Sequence, residues 1–173
     1  MIKNKANHFL RILEELSDAN VEFVVGGGVA VVLHGIERST IDIDLSLYMT
    51  RDNIRKFIEV MKKEGMRPNV PVSADVLLDP TMIKKMIEEK HAIVFSFIHP
   101  DELFKRVDIF LTEDLSYSNL VKNSEIMKLG KSNIRIVSKK KLLELKKAIS
   151  PLRNKDIFDI KALEEILREN DDD

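Results

Sequence analysis

Phe9, Ile12, Leu13 and Leu16 recur at three- and four-residue spacing, which predicts an amphipathic helix over roughly residues 3–19, with Asn20 as its end signal. The mostly apolar run Val21-Glu22-Phe23-Val24-Val25 then reads as a buried strand. Gly26-Gly27-Gly28 forms a turn, and residues 29–34 read as a short buried helix stopped by Gly35. Between residues 41 and 48 the period changes to two, the mark of a half-buried strand with Ile41, Ile43 and Leu45 turned to the core. Thr50 is placed to cap a helix reaching about Lys63, with Ile54, Phe57, Ile58 and Met61 inward and Gly65 as its stop.

Residues 67–79 carry no clear period. Asp79-Pro80 supplies an N-cap followed by a first-turn proline, which opens a helix through about Glu89 with Met82 and Met86 on its core side. Residues 92–98 and 106–111 read as strands, 114–122 as a helix, and 125–129 with 133–137 as a hairpin around Gly130. Two helices, 139–149 and 156–169, are parted at Pro151, and Asn170-Asp171-Asp172-Asp173 is expected to fray. Strands and helices intermix without a repeat or a linker. The expected class is therefore α/β (α+β), a mixed sheet flanked by helices. The expected organisation is a single domain over residues 1–173, with 139–169 as a C-terminal helical extension.

Composition changes this picture little. The chain has 173 residues, 44% hydrophobic and 33% charged, enough for a sizeable core. Its 28 basic and 29 acidic side chains nearly cancel, so the whole molecule has no general attraction for nucleic acid. Residues 101–155 are locally basic, with 13 Lys and Arg against 7 Asp and Glu. That excess suits a polyphosphate or an RNA backbone, and a solvated lysine-rich face explains it equally well. The absence of cysteine excludes disulfides, thiolate metal sites and cysteine nucleophiles. The first eight residues lack the apolar core of a signal peptide, and the apolar stretch 23–33 is too short for a bilayer. A cytoplasmic enzyme or binding protein with no membrane partner is the default expectation.

The chemistry gathers between Gly26 and Leu45. Side chains at i and i+2 of a strand share a face, so Asp42 and Asp44 point together. Aspartate is disfavoured in strands, and two such charges about 4 Å apart repel by roughly 4 kcal/mol at an effective dielectric near 20. A divalent cation between them reverses the sign, and an all-oxygen ligand set favours magnesium or manganese. The plainer alternative is an exposed strand edge with alternating polar residues. A strand running into a glycine turn and then a helix lets backbone N–H groups approach a phosphate. Against this stands a tight turn that merely needs positive φ. Neither common phosphate motif is present: no P-loop pattern occurs, and the dinucleotide fingerprint fits Gly26 and Gly28 but meets Val31 where its third glycine belongs. A third carboxylate, Asp108, lies in Arg106-Val107-Asp108-Ile109-Phe110-Leu111. Beside the Asp42/Asp44 strand it would complete a site for two metal ions. Pairing with Arg106 alone would make it an ordinary strand residue.

Gly27-Gly28, thirteen residues, then Asp42-Ile43-Asp44 resembles the signature of the polymerase-β-like nucleotidyltransferase superfamily. Gly35-Ile36-Glu37-Arg38-Ser39-Thr40 is similar to the run before the aspartates in its small AbiEii-like and minimal members. Leu145-Lys146-Lys147-Ala148 and Arg153-Asn154-Lys155-Asp156-Ile157-Phe158-Asp159 resemble the C-terminal elements of the same proteins. The resemblance implies a glycine turn, Gly27 and Gly28, over a nucleoside triphosphate. It implies Asp42, Asp44 and Asp108 as metal and catalytic residues for Mg2+ or Mn2+, with Asp108 also serving as base. Lys146 would touch the phosphates, joined by Arg38, Ser39 and Lys155. The reaction implied is attack of an acceptor hydroxyl on the α-phosphate with release of pyrophosphate. The acceptor stays open among RNA or tRNA, protein and a small molecule, as does a protein partner or a homodimer. The alternative function is a non-catalytic nucleotide- and metal-binding regulatory domain, such as a toxin–antitoxin component. Lys146 and Lys147 as a solvated helix face, and Asp156 and Asp159 as a helix cap and first-turn acid, are the plainer readings of the C-terminal elements.

Overall fold

The computed structural model describes residues 2–102 and 104–171, with side chains from residue 8 to residue 169. Asp172 and Asp173 of the acidic terminus therefore lie outside the described residues, and with them part of the expected fraying. The first helix, α1 (Ile2–Asp18), buries Ile12, Leu13 and Leu16 completely, as its period requires. Strand β1 (Phe23–Val25) follows, then helix α2 (Gly27–Leu33) and strand β2 (Asp42–Leu47). Helix α3 (Arg51–Lys63) buries Ile54, Phe57, Ile58 and Met61. Strand β3 (Arg67–Pro68), helix α4 (Pro80–Lys90) and strands β4 (Val94–Ile98) and β5 (Arg106–Phe110) come next. A short helix, α5 (Tyr117–Leu120), precedes the hairpin of β6 (Ser124–Leu129) and β7 (Ser132–Val137). Helices α6 (Lys139–Lys147) and α7 (Asn154–Asp171) complete the chain.

The strands form one seven-stranded mixed sheet in the order β3-β4-β5-β2-β1-β7-β6. Strand β2 runs parallel to β5 and β1 parallel to β7, while the other pairs are antiparallel. The expected class is met. Ile43 and Leu45 on β2, with Val107 and Ile109 on β5, are fully buried and anchor the sheet's centre. This apolar face holds β2 in register, because a one-residue slip would turn it to the opposite side.

Several local expectations need correction. Helix α2 starts at Gly27 rather than Val29, so two of the three glycines belong to its first turn. The expected helix at 114–122 is broken into a 3-10 turn (Glu113–Leu115), α5 and a second 3-10 turn (Val121–Asn123), since Ser116 is extended. Ile41 is half exposed and Met82 is exposed, because each lies at the start of its element, beyond the reach of the core. Asp79 does cap α4, accepting from Thr81 N at 2.9 Å. Thr50 precedes α3 without a side-chain cap.

One buried side chain ties the strands that carry the site. Asn53 of α3 accepts from Glu22 N at 2.7 Å and donates to the carbonyls of Glu22 at 2.9 Å and Tyr48 at 2.8 Å. It thus joins the chain entering β1 to the chain leaving β2. Removing it strands the Glu22 N–H and the Tyr48 carbonyl, each costing about 1–3 kcal/mol when buried and unmet, while the Glu22 carbonyl keeps its bond from Tyr48 N at 3.1 Å. Asn53→Ala is accordingly expected to lower the unfolding free energy by about 2–4 kcal/mol in urea titration.

Candidate active site

The parallel pairing of β2 and β5 sets Asp44 opposite Asp108 and Asp42 opposite Arg106. Asp42, Asp44 and Asp108 each present an oxygen, and these three oxygens all lie within 4.8 Å of one another. Such crowding shows in the proton affinity of Asp44. Burial, with Asp42 and then Asp108 adding to it, pushes its pKa up to about 6, although Lys146 and Lys155 pull the other way. Arg106 is the nearest counter-charge: its Nε donates to Asp108 Oδ1 at 2.8 Å and its Nη2 to Ser96 Oγ at 3.0 Å. Asp108 pairs with Arg106 through Oδ1 and still stands in the carboxylate cluster.

The glycine turn lies directly on this cluster. Gly26 N donates to the Asp44 carbonyl at 2.9 Å, joining the turn to β2. Gly27 has φ +56, and a Cβ there would stand 1.8 Å from Asp44 Oδ2. Only glycine fits, on both grounds. A Cβ at Gly28 would stand 2.3 Å from Arg38 Nη1 and 2.7 Å from Thr40 Oγ1. The loop between α2 and β2 therefore folds over the first turn of α2.

Arg38 and Lys146 form a second, basic wall. Arg38 Nε lies 2.9 Å from Asp159 Oδ1, and Lys146 Nζ lies 2.8 Å from Asp159 Oδ2 and 3.3 Å from Asp156 Oδ1. Arg153 closes the group with its Nε 2.6 Å from Asp156 Oδ2. Lys146 is buried, which overturns its reading as a solvated face, whereas Lys147 is half exposed and pairs with Glu164 at 2.6 Å. Asp156 lies in the first turn of α7 and accepts from Arg153 N at 3.2 Å, whereas Asp159 lies beyond that turn and is neither cap nor first-turn acid. Burial opposes the ionisation of Asp156, yet the Arg153 hydrogen bonds and Lys146 outweigh it and bring the carboxyl down to about 2. Ser39 is exposed on the α2–β2 loop, outside both groups. Three histidines make local contacts away from the cluster: His34 Nε2 donates to the Val137 carbonyl at 2.8 Å, His91 ends α4 in the left-handed conformation, and His99 Nδ1 accepts from Asp101 N at 3.2 Å. Sequence reasoning missed Ser96 and the joint role of Asp156 and Asp159. The i, i+3 spacing of Arg153, Asp156 and Asp159 was the available signal.

A protein-family model described as aminoglycoside-2''-adenylyltransferase matches residues 8–163. The chain belongs to that family. This aminoglycoside-2''-adenylyltransferase family member is thereby placed among nucleotidyltransferase enzymes, as the glycine–aspartate spacing led one to expect. Two solved structures share its fold. The lincomycin-bound lincosamide antibiotic adenylyltransferase LnuA is 20% identical with a TM-score of 0.62, over 92% of this chain and 96% of that one. The antibiotic-resistance factor ANT(2'')-Ia is 14% identical with a TM-score of 0.62, over 96% of this chain and 86% of that one. No curated protein sequence matches significantly. Among the described residues no helix is long and apolar enough to cross a membrane.

The raised pKa of Asp44 makes a stability prediction for the metal-free family member. A carboxyl that binds its proton more tightly when folded stabilises the fold fully below its unfolded pKa, about 3.9, and loses that contribution as pH rises through about 6. Asp44→Asn removes the loss. It is expected to stabilise the metal-free protein at pH 8 by up to about 3 kcal/mol while changing little near pH 4. Urea denaturation at both pH values in a chelator checks this, and equal stability of the two proteins at pH 8 would refute it.

Proposed function

We propose that this chain transfers a nucleoside monophosphate from a nucleoside triphosphate to a hydroxyl of a small-molecule acceptor, with Asp42, Asp44 and Asp108 as the catalytic centre. The convergence of three carboxylate oxygens within 4.8 Å beneath Gly27 is the observation that carries this reading. Divalent ions suit the centre. The donors are all hard oxygens, and the raised proton affinity of Asp44 marks a carboxylate lacking a sufficient counter-charge. Asp42, Asp44 and Asp108 would hold Mg2+ or Mn2+, which when bound supplies Lewis-acid stabilisation of the charge that develops on the phosphoryl oxygens.

The chain's own residues do the rest. Gly27 and Gly28 carry no side chain, which brings the Asp44 carboxylate and the Arg38 guanidinium directly against the turn where a triphosphate would lie. Arg38 and Lys146 present positive charge to the triphosphate, and Lys155, whose charge is felt at Asp44, would add to theirs. Arg106 holds Oδ1 of Asp108, which leaves Oδ2 to face the acceptor. The acceptor oxygen bonds to the α-phosphorus, the bond from that phosphorus to the bridging oxygen of the β-phosphate breaks, and pyrophosphate leaves. The proton of the hydroxyl passes to the Asp108 carboxylate. Pre-positioning of the two reactants supplies much of the acceleration.

Family membership, together with a fold shared with enzymes described as acting on lincosamides and as an antibiotic-resistance factor, supports a hydroxylated antibiotic of aminoglycoside or lincosamide type as acceptor. The near neutrality of the whole chain gives no comparable support to RNA or tRNA. The non-catalytic alternative, whether regulatory or toxin–antitoxin, has no geometric observation in its favour. ATP and GTP labelled at the α-phosphate, with magnesium or manganese, should pass label to a member of an aminoglycoside and lincosamide panel and not to total RNA. Asp44→Asn is expected to reduce transfer by about 10³-fold or more. Label that stays in the nucleotide with every acceptor, in a protein that still binds nucleotide and metal, would sink the catalytic reading and leave the binding one.

A further inference from the structure

Asp156 and Asp159 are both wholly buried on α7, where ionised carboxylates persist only with partners. Their partners are the side chains of Arg38, Lys146 and Arg153, so three cations face two anions. The surplus positive charge is not placed at random. The Arg153 side chain is 56% exposed, whereas those of Arg38 and Lys146 are each 9% exposed. Arg38 meets Asp159 through Nε, and its Nη1 reaches over Gly28. Lys146 meets the second oxygen of the same carboxylate, and its charge is felt at Asp44. Asp159 thus stands between a cation that borders the glycine turn and one whose charge reaches the carboxylate cluster.

Holding α7 in place does not account for this arrangement. The Lys147–Glu164 pair already links α6 to α7 at 2.6 Å, and Leu142 and Leu163 are buried in the core. A buried ion group is moreover a poor source of stability, because desolvation offsets most of the attraction. What such a group does well is fix geometry.

The geometry points to Asp159 as a positioning residue that sets Arg38 and Lys146 side by side to receive the phosphates of a nucleoside triphosphate, with Asp156 steadying Lys146 from the other side. This rests on the nucleotidyltransferase reading and extends it to two residues on the last helix. Asp159 touches no substrate. It acts through the two cations.

The test is calorimetric titration of the full chain with ATP and with adenosine, in calcium to prevent turnover, together with steady-state kinetics in magnesium. Asp159→Asn is expected to weaken ATP binding about ten-fold and to raise the KM for ATP similarly, with the acceptor KM unchanged. Adenosine, which lacks phosphate, should bind both proteins alike. Glu164→Gln breaks the other link between α6 and α7, and is expected to lower the melting temperature without moving either KM. Should Asp159→Asn not fold, Asp159→Glu keeps the charge and displaces both cations by one methylene. The same selective loss of ATP is expected there, and wild-type ATP affinity in folded Asp159→Glu overturns the proposal. Folded Asp159→Asn with wild-type ATP affinity overturns it too, while leaving the transferase reading intact. Wild-type protein that binds no triphosphate at all overturns both.

Discussion

The register between β2 and β5 is the constraint on which the rest depends. Two neighbouring strands running the same way set Asp44 against Asp108, and the two-residue period of β2 adds Asp42 on the same face. Burial and, after it, the repulsion of Asp42 and Asp108 together push the Asp44 carboxyl up to about 6. The opposite face supplies what holds them there. Ile43, Leu45, Val107 and Ile109 are fully buried, and any slip that relaxed the carboxylates would drag these side chains out of the core. The site is strained in charge because the sheet beneath it is not free to adjust.

Counter-charge is arranged in two shells of different character. Arg106 touches the carboxylates themselves, yet it grips a single oxygen of Asp108 and is anchored sideways by Ser96. Arg38 and Lys146 stand further back, and their charge is partly spent on Asp156 and Asp159. Neither shell neutralises the cluster. On the proposed function, the carboxylates would take the metal and the two largely buried cations the polyphosphate that carries it.

Much of this could be read in the chain before its fold was seen. The alternation around Asp42-Ile43-Asp44, the glycines before it and the Asp79-Pro80 cap are local signals whose physics acts within a few residues. Asp108 was legible as a strand aspartate, but its place beside Asp44 depends on strand order, which no local pattern encodes. The burial of Lys146 was harder still. A lysine among Lys139, Lys140, Lys141 and Lys147 has every local reason to be solvated, and what draws it inward is Asp159 on the next helix. Helix α2 began earlier than its apolar residues indicated, because the glycines enter its first turn for the sake of what lies above them. Ile41 and Met82 were assigned to the core by period alone, and period does not reveal where an element outruns its partner.

Gly27 has a consequence for how this lineage can diversify. Any other residue there would strike the Asp44 carboxylate, so the position is closed. Replacing the aspartate by something smaller would not reopen it, because Asp44 Cβ itself would stand 2.8 Å from the new atom and the positive φ at 27 would remain. Variety at this turn therefore waits on a different backbone path and not on the loss of one side chain.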